Sequence, residues 1–198
     1  MTPRIAMTPM PQSIRMRFPD ESRYYQVVNG SHVSEQVFGE YKNDILRGYA
    51  GNDQLFALGG NDWLSGGEND DYLDGGAGND YMLGGAGSDQ LGGDAGDDFM
   101  RGGPGNDTYI YHRGCGVDTI DNQDGGTDWI VFTGDLTRDR LRFVKAGNDL
   151  EIRISDSPSD RVIVLNWFLN DTCPAAYIRP ADGCEIPAAI ITRDAMRE

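Results

Sequence analysis

The sequence lacks the features of a membrane-spanning protein and of a nucleic-acid-binding protein. No apolar run approaches the about 20 residues that a membrane-spanning helix needs, and residues 1–18 contain no apolar segment of a conventional signal peptide. Basic residues are also scarce, since 17 Lys and Arg stand against 32 Asp and Glu and give a net charge of −15. Nucleic-acid binding depends on neutralising phosphates with Lys and Arg, so this composition argues against a nucleic-acid partner.

Residues for hydrolytic catalysis and for zinc binding are also few. The chain has no H-E-x-x-H, no G-x-S-x-G and no phosphate-binding glycine loop. Its two histidines are His32 and His112. His112 lies beside the last repeat without a convincing nucleophile, which favours a surface position over a catalytic role. Cys115, Cys173 and Cys184 form no zinc motif; Cys173 and Cys184 form a disulfide in one interpretation and are free thiols in the other. We therefore predict a protein with no catalytic residues.

Glycine and aspartate are abundant instead, and their spacing is regular. Eight aspartates lie nine residues apart: Asp44, Asp53, Asp62, Asp71, Asp80, Asp89, Asp98 and Asp107. A large apolar residue follows each of them by two positions: Leu46, Leu55, Leu64, Leu73, Met82, Leu91, Met100 and Tyr109. The glycine between them excludes a helix, because each glycine costs roughly 0.5–1 kcal/mol relative to alanine there. A fixed period this short is typical of a solenoid.

The repeated unit reads G-G-x-G-(N/D)-D-x-(L/M)-x and resembles the calcium-binding nonapeptide of the repeats-in-toxin (RTX) family. Residues 75–83, 84–92 and 102–110 are its cleanest copies, and the resemblance covers residues 39–110. It implies an all-β fold: a calcium-bound parallel β-roll with two nonapeptides per turn, followed by a small β-rich capping domain.

The chemistry of the unit suits calcium, which takes six to eight oxygen ligands at ~2.3–2.6 Å. With two units per turn, aspartates 18 residues apart stack at the ~4.8 Å strand spacing and form two ladders. One ladder contains Asp44, Asp62, Asp80 and Asp98, and the other contains Asp53, Asp71, Asp89 and Asp107. Residues 48–107 carry twelve acidic side chains and one basic side chain, so stacking them without cations is unfavourable. About four to six Ca²⁺ ions are expected.

The resemblance also implies the ligands, which are the aspartate carboxylates and the carbonyls of the first four positions. The predicted set is Asp53, Asp62, Gly66, Gly67, Glu68, Asp71, Gly75, Gly76, Ala77, Gly78, Asp80, Gly84, Gly85, Ala86, Gly87, Asp89, Gly93, Ala95, Gly96, Asp98, Gly102, Gly103, Pro104, Gly105 and Asp107. Some units depart from the pattern. Lys42 argues against a complete site at Asp44, and Tyr49, Ala57 and Leu58 replace glycines and predict weaker sites.

Changes in composition and motifs along the chain predict four segments. They are an irregular lead-in at 1–36, the RTX β-roll at 37–110, a β-rich cap at 111–186, and a tail or short helix at 187–198. In the cap, apolar runs predict strands at 109–111, 118–120, 129–132 and 161–168, with a hairpin over 141–154. The runs at 111–120 and 161–168 resemble the β-rich domain that follows RTX repeats.

Four aspartates lie between the repeats and the hairpin: Asp118, Asp121, Asp124 and Asp128. They are candidates for a further calcium site or for a solvated acidic turn. Their spacing does not match an EF-hand, because Phe132 stands where that motif needs glutamate.

An aromatic face on the roll is the remaining candidate for recognition. Trp63, Tyr81 and Phe99 are 18 residues apart and adjacent to inward-facing positions, so they are expected to point outward. One interpretation is a binding face for a protein or glycan. The other is packing against the C-terminal unit, or an aromatic ladder that stabilises the sheet.

The sequence therefore predicts a secreted, non-catalytic calcium-binding RTX protein or module that folds on binding extracellular Ca²⁺. The resemblance implies the type I secretion machinery as a partner, although the charged residues 193–198 differ from the apolar ending common in its substrates. Two alternatives remain: a calcium-dependent adhesin or partner- or glycan-binding protein, and the C-terminal secretion module of a larger toxin or enzyme.

Overall fold

A computed structural model describes residues 26–123, 125–169 and 176–196. In chain order the strands are β1 (Gln26–Asn29), β2 (Gln36–Phe38), β3 (Asp44–Ala50), β4 (Gln54–Phe56), β5 (Trp63–Glu68), β6 (Tyr72–Asp74), β7 (Tyr81–Ala86), β8 (Gln90–Gly92), β9 (Phe99–Arg101), β10 (Thr108–Tyr111), β11 (Val117–Ile120), β12 (Asp128–Phe132), β13 (Leu141–Ala146), β14 (Asp149–Ile154), β15 (Ser157–Val164), β16 (Ala176–Arg179) and β17 (Ile186–Pro187). A 3-10 turn at Arg138–Arg140 precedes β13, and the helix α1 (Ala188–Ala195) follows β17.

Alternate strands of the chain build two facing sheets. The first has the order β1-β3-β5-β7-β9-β11-β15-β14-β13, and the second has the order β17-β16-β12-β10-β8-β6-β4-β2. Within the repeats the neighbours are parallel and 18 residues apart, as in the pairing of Trp63 with Tyr81 and of Tyr81 with Phe99. The predicted parallel β-roll with two nonapeptides per turn is confirmed.

The apolar residue two positions after each aspartate forms the interior of the roll. None of these side chains is more than 1% exposed: Leu46, Leu55, Leu64, Leu73, Met82, Leu91, Met100 and Tyr109. Each short strand contributes one such side chain because successive residues of a strand point to opposite faces. The interior of the roll is therefore a single stacked row from each sheet.

The loops between the strands keep one backbone conformation even where glycine is replaced. Gly78 needs to be glycine, since its φ is +128° and a Cβ would overlap the Gly60 carbonyl. Tyr49 and Leu58 occupy the left-handed region as well, with φ of 79° and 73°. A residue with a Cβ costs roughly 1–2 kcal/mol in this region. The early units thus retain the shape of the loop with added backbone strain.

The roll begins earlier than predicted. β1 pairs in parallel with β3, and β2 pairs in parallel with β4 at the same 18-residue spacing. Residues 26–36 of the predicted irregular lead-in therefore already contain repeat-like structure, and residues 1–25 lie outside the described part of the chain.

Both sheets continue past the repeats. β11 pairs with β9 and β15, and β12 pairs with β10 and β16, all in parallel. The predicted boundary at residue 110 falls inside β10, so the following region extends the sheets. The division into domains stays a prediction.

The C-terminal region is antiparallel where it ends the first sheet. The predicted hairpin is present as β13 and β14, and β14 also pairs antiparallel with β15. The strand predicted at 161–168 is wrong at its C-terminal end. β15 stops at Val164, and Asn166 has a φ of +56°. The turn seats Trp167 in the core, where its Nε1 donates to Thr192 Oγ1 of α1 at 3.0 Å.

Two further expectations concern cysteine and membranes. Cys115 is buried and Cys184 is exposed, whereas Cys173 lies outside the described residues, so its disulfide with Cys184 stays a prediction. Among the described residues, no helix combines the length and the apolar character needed to cross a membrane.

Candidate metal centre

From Asp53 onward, each ladder aspartate uses one carboxylate oxygen to join successive turns of the roll, whereas Asp44 Oδ2 accepts the Glu40 N–H of its own loop. The backbone N–H of Asp62 donates to Asp80 Oδ1 at 2.7 Å, and that of Asp80 donates to Asp98 Oδ1 at 2.8 Å. The other ladder repeats the pattern, with Asp53 N–H donating to Asp71 Oδ1 at 2.8 Å. These bonds fix every carboxylate in one orientation.

The second carboxylate oxygen is buried and accepts no hydrogen bond. These orphaned atoms are Asp44 Oδ1, Asp53 Oδ2, Asp62 Oδ2, Asp71 Oδ2, Asp80 Oδ2, Asp89 Oδ2 and Asp98 Oδ2. Their side chains are at most 3% exposed. A buried polar atom without a partner costs about 1–3 kcal/mol, and more if it is charged. Regular repetition of this cost along both ladders indicates a binding site for a cation.

In the part of the chain that the structure describes, no basic side chain lies close enough to neutralise these carboxylates. Among the described residues, none of the ion pairs involves Asp53, Asp62, Asp71, Asp80, Asp89 or Asp98. Burial raises the pKa of Asp62 to about 8 and the pKa values of Asp71, Asp80 and Asp89 to about 7. Without a cation, the folded roll favours protonated carboxyls at positions where calcium needs carboxylates.

First-position glycines leave room beside most of the orphaned oxygens. A Cβ at Gly48 would lie 2.5 Å from Asp53 Oδ2 and 2.7 Å from the Gly66 carbonyl of the next turn. Gly84 repeats this arrangement with Asp89 Oδ2, and a Cβ there would lie 2.7 Å from the Gly102 carbonyl. A carboxylate from one turn and a carbonyl from the next thus face the same space, as a hard-cation site requires.

The other predicted carbonyls are also in register. Third-position carbonyls already accept a fourth-position N–H of the preceding turn, as with Gly60 to Ala77 at 2.8 Å and Gly78 to Ala95 at 2.8 Å. Each keeps a second lone pair. No group of three or more His, Cys, Asp or Glu side chains within the described residues is arranged to hold a metal ion. The oxygens that face the first-position spaces are carboxylates and backbone carbonyls, which suit calcium better than zinc.

Comparison with known proteins identifies this arrangement. The family described as RTX calcium-binding nonapeptide repeat (4 copies) matches residues 34–64, 56–91 and 74–109. The chain carries RTX calcium-binding repeats. The RTX repeats belong to a calcium-binding family that is linked to type I secretion and whose members are generally extracellular.

The chain is also similar to parts of three known proteins. The iron-regulated protein FrpA of Neisseria meningitidis serogroup C is 42% identical over 67 residues, which is 32% of this chain and 6% of FrpA. The extracellular lipase LipA of Serratia marcescens has a TM-score of 0.32 at 16% identity, covering 74% of this chain and 39% of LipA. The AlgE6R3 subunit of the Azotobacter vinelandii mannuronan C5-epimerase has a TM-score of 0.23 at 20% identity, and the similarity covers 68% of this chain and 72% of that subunit.

One RTX loop lacks the space beside its carboxylate. Ala57 stands at the first position of its unit, where the other units shown above have glycine, and it is fully buried. Its Cβ therefore occupies the position that stays open at Gly48 and Gly84. This agrees with the expectation that the early RTX units are weaker, which stays a prediction.

Sequence reasoning missed an acidic residue before the RTX repeats. Glu35 lies nine residues before Asp44, and its N–H donates to Asp53 Oδ1 at 2.9 Å. Its carboxylate accepts the Ser31 N–H, and Gly30 holds the first-position place. The nine-residue period extended one step toward the N-terminus would have found it, because Val37 also keeps the inward position.

The structure also corrects one interpretation of the aspartates after the RTX repeats. Asp118 and Asp128 are 0% and 3% exposed, so they do not belong to a solvated turn. Asp98 N–H donates to Asp118 Oδ1 at 3.2 Å, and Asp107 N–H donates to Asp128 Oδ1 at 2.8 Å. Each continues one ladder. Insertions of two residues and then one broke the nine-residue period and hid them in the sequence; Asp124 lies outside the described residues.

The predicted aromatic face is present but not fully open. Trp63 and Tyr81 are partly exposed with ring centroids 5.4 Å apart, and Tyr81 stacks on Phe99 at 4.8 Å. Phe99 is only 3% exposed, so the ring at this position is covered and is not open to a partner. A second aromatic row, missed in the sequence, runs over the other sheet through Phe38 and Phe56, whose rings stack at 5.2 Å.

Proposed function

We propose that this protein is a calcium-responsive RTX β-roll that folds outside the cell, where calcium is abundant, and performs no catalysis itself. The observation that carries the proposal is the row of buried carboxylate oxygens that no donor in the described residues satisfies. Folding without cations would bury these charges unpaired. Calcium, when bound, supplies the positive charge that the ladders lack.

Carboxylates and backbone carbonyls of the chain would hold the ions. Carboxylates such as Asp80 and Asp89 contribute the charge, and their orientation is already set by backbone N–H groups of the preceding turn. First-position glycines keep the space open, and stacked carbonyls such as that of Gly102 supply neutral oxygen ligands. Since the ligands come from different turns, binding and stacking of the turns are coupled, and metal affinity contributes folding free energy.

A calcium titration of chelator-stripped protein tests the proposal. Far-UV circular dichroism and tryptophan fluorescence are expected to report a cooperative gain of β structure at roughly 10⁻⁴–10⁻³ M calcium, the range of extracellular modules. Magnesium at the same concentration is the control and is expected to fail, because it demands a tight octahedron and dehydrates reluctantly. A protein that is fully folded in chelator, or that does not respond to millimolar calcium, would contradict the proposal.

Export by a type I secretion system follows from the same coupling. An RTX chain that stays unfolded at low cytosolic calcium remains competent to pass through an export channel, and the acidic repeats would delay its folding until it meets extracellular calcium. Expression with and without a type I apparatus tests this. Appearance of the protein in the medium only with the apparatus supports export, and retention in the cell under both conditions contradicts it.

A second candidate function is recognition of a protein or glycan by the aromatic face. The favourable observation is that the Trp63 and Tyr81 rings stay partly exposed although they stack with their neighbours. Replacing Trp63, Tyr81 and Phe99 with Ser tests it. Retained calcium-dependent folding with lost binding to cells or glycans supports recognition, whereas a lost fold supports a stabilising ladder.

The third interpretation concerns a larger protein. This chain spans 6% of the length of FrpA, so the role of a module within a longer toxin or enzyme stays a proposal. Sequencing the genomic reading frame upstream of Met1 decides it, since an open frame that continues upstream would supply the missing part.

A further inference from the structure

The ladder that contains Asp44, Asp62, Asp80 and Asp98 does not end with the RTX repeats. Asp118 stacks on Asp98 in the same way as Asp98 stacks on Asp80: its Oδ1 accepts the N–H of the preceding aspartate, at 3.2 Å compared with 2.8 Å. Two residues inserted after the last repeat change the spacing from 18 to 20 residues. The ladder therefore extends beyond residue 109, where the family match stops.

The loop before Asp118 has the backbone of an RTX loop. Gly114 and Gly116 have φ of +89° and +92°, at the places where the preceding loop has Asp94 and Gly96 in the left-handed region. The Gly96 N–H donates to the Cys115 carbonyl at 2.9 Å, which repeats the bond between fourth and third positions in the roll. Residues 113–121 are thus a degenerate nonapeptide in which Arg113 replaces the first glycine.

Each of these two aspartates has one orphaned oxygen. Asp98 Oδ2 and Asp118 Oδ2 are both buried without a hydrogen-bond partner, and the bond from Asp98 N–H to Asp118 Oδ1 makes the two residues direct neighbours. Asp98 is 2% exposed and Asp118 is 0% exposed. Two buried carboxylates this close repel one another strongly unless a proton or a cation lies between them.

We propose that Asp98 and Asp118 hold a further calcium ion in the turn that joins the RTX roll to the C-terminal region. This rests on the proposed calcium function of the repeats, and it adds a site that the nonapeptide pattern does not contain. The site would couple calcium to the C-terminal strands, because β11, which begins at Val117, pairs directly with β15.

A nearby carboxylate shows what a buried aspartate without a cation looks like here. Asp160 is 4% exposed, and its Oδ2 accepts the Gly114 N–H at 2.8 Å and the Ser157 hydroxyl at 2.9 Å. Its Oδ1 accepts the Ser159 hydroxyl at 3.1 Å. Both of its oxygens accept hydrogen bonds from protein donors, whereas Asp98 and Asp118 each have one oxygen without a donor. Asp160 therefore provides a matched control.

Native mass spectrometry of the full chain at saturating calcium counts the ions. Asp118→Asn keeps the acceptor Oδ1 and removes the charge, so it is expected to bind one ion fewer than wild type and to need several-fold more calcium for folding. Asp160→Asn is expected to keep the full ion count. Asp118→Glu retains the charge and is expected to keep the full count as well.

The outcomes separate this site from the proposed function as a whole. Wild-type protein that binds no calcium overturns the proposed function. Wild-type protein that binds calcium, with an unchanged ion count in Asp118→Asn, overturns only this site and indicates a shared proton. Loss of an ion in Asp160→Asn as well would assign the effect to disturbed structure and also overturn it. If Asp118→Asn fails to fold but Asp118→Glu folds, the charge is required and the site is supported; failure of both overturns it.

Discussion

The carboxylates of the RTX roll and those of the C-terminal region differ in burial and in their counterions. In the roll, Asp62, Asp80 and Asp98 are at most 2% exposed and take part in no ion pair among the described residues. In the C-terminal region, Asp135 and Asp156 are about half exposed, and Arg113 bridges both of them. The carboxylates of the roll thus have no cationic partner among the described residues, whereas those of the C-terminal region are paired with an arginine of the chain.

This difference reflects how each region makes its core. The roll has one inward side chain for each short strand and loops of glycine, so its interior is narrow and its stability depends on what fills the loops. The C-terminal region buries Phe143, Ile152 and Trp167 in an apolar core, and Trp167 also donates a hydrogen bond to Thr192 of α1. On the proposed function, the same two sheets therefore join a part that responds to calcium and a part that folds by apolar burial.

Removal of calcium is expected to have the largest effect and to separate the two regions. In chelator, the amides of β5, β6, β7 and β8 should lose hydrogen-exchange protection, because the ladder carboxylates repel one another without cations. Amides of β13 and β14 should keep more protection. Hydrogen exchange followed by mass spectrometry measures both at once; equal loss in the two regions would contradict the comparison.

Acid is expected to replace calcium in part, and only in the roll. Buried carboxyls such as Asp62, Asp71 and Asp80 have pKa values raised by burial to between about 7 and about 8. A raised pKa adds stability that is complete below the unfolded value near 4 and is lost as pH rises through 7 and 8. Chelated protein should therefore gain β structure when the pH falls from 8 to 5.

The C-terminal region provides the internal control for this pH effect. Hydrogen bonds and Arg113 lower the pKa of Asp135, so its contribution is present above the unfolded value and is lost only as pH falls below it. Between pH 5 and pH 8 the stability of the C-terminal region should therefore not change through the titration of this carboxyl group. Circular dichroism in chelator measures the roll, and a signal that is constant over this range would contradict the prediction.

Core truncation is expected to distinguish the regions by their calcium dependence. Leu73→Ala in the roll and Leu150→Ala in β14 remove fully buried side chains, and each should cost about 2–5 kcal/mol. Leu73→Ala should also raise the calcium concentration needed for folding. Leu150→Ala should lower thermal stability at saturating calcium with little change in that concentration. Equal shifts of the calcium midpoint would show that the regions fold as one unit.

The smallest effect is expected from adding or removing a single Cβ at the first position of a unit. Gly84→Ala places a methyl group beside Asp89 Oδ2 and the Gly102 carbonyl, so calcium binding there should weaken by about tenfold, or about 1.4 kcal/mol. The reverse change, Ala57→Gly, should open the equivalent space beside Asp62 and increase affinity. Calorimetric titration measures both. Identical effects of the two variants would show that the first-position space does not determine affinity.

Particular residues show why the repeats were readable in the sequence. Asp80, Met82 and Gly84 recur in strict phase, and a period of nine residues leaves only a thin solenoid with an inward apolar residue after each aspartate. Residues 18 positions apart become neighbours because each unit stacks on the equivalent unit of the next turn. Where the phase is broken, as at Asp118, the same physics still operates, but the pattern that reveals it is lost.

The sequence by itself determined the roll, its inward side chains and the carboxylates that line its loops, because these depend on local periodicity. Tertiary structure decided what depends on contacts between distant segments. Asp118 becomes a buried neighbour of Asp98 because β11 stacks on β9, and β15 ends at Val164 because Trp167 must turn toward α1. It also leaves Phe99 covered while Tyr81 stays partly exposed, since burial depends on the stacking of elements that are far apart in the chain.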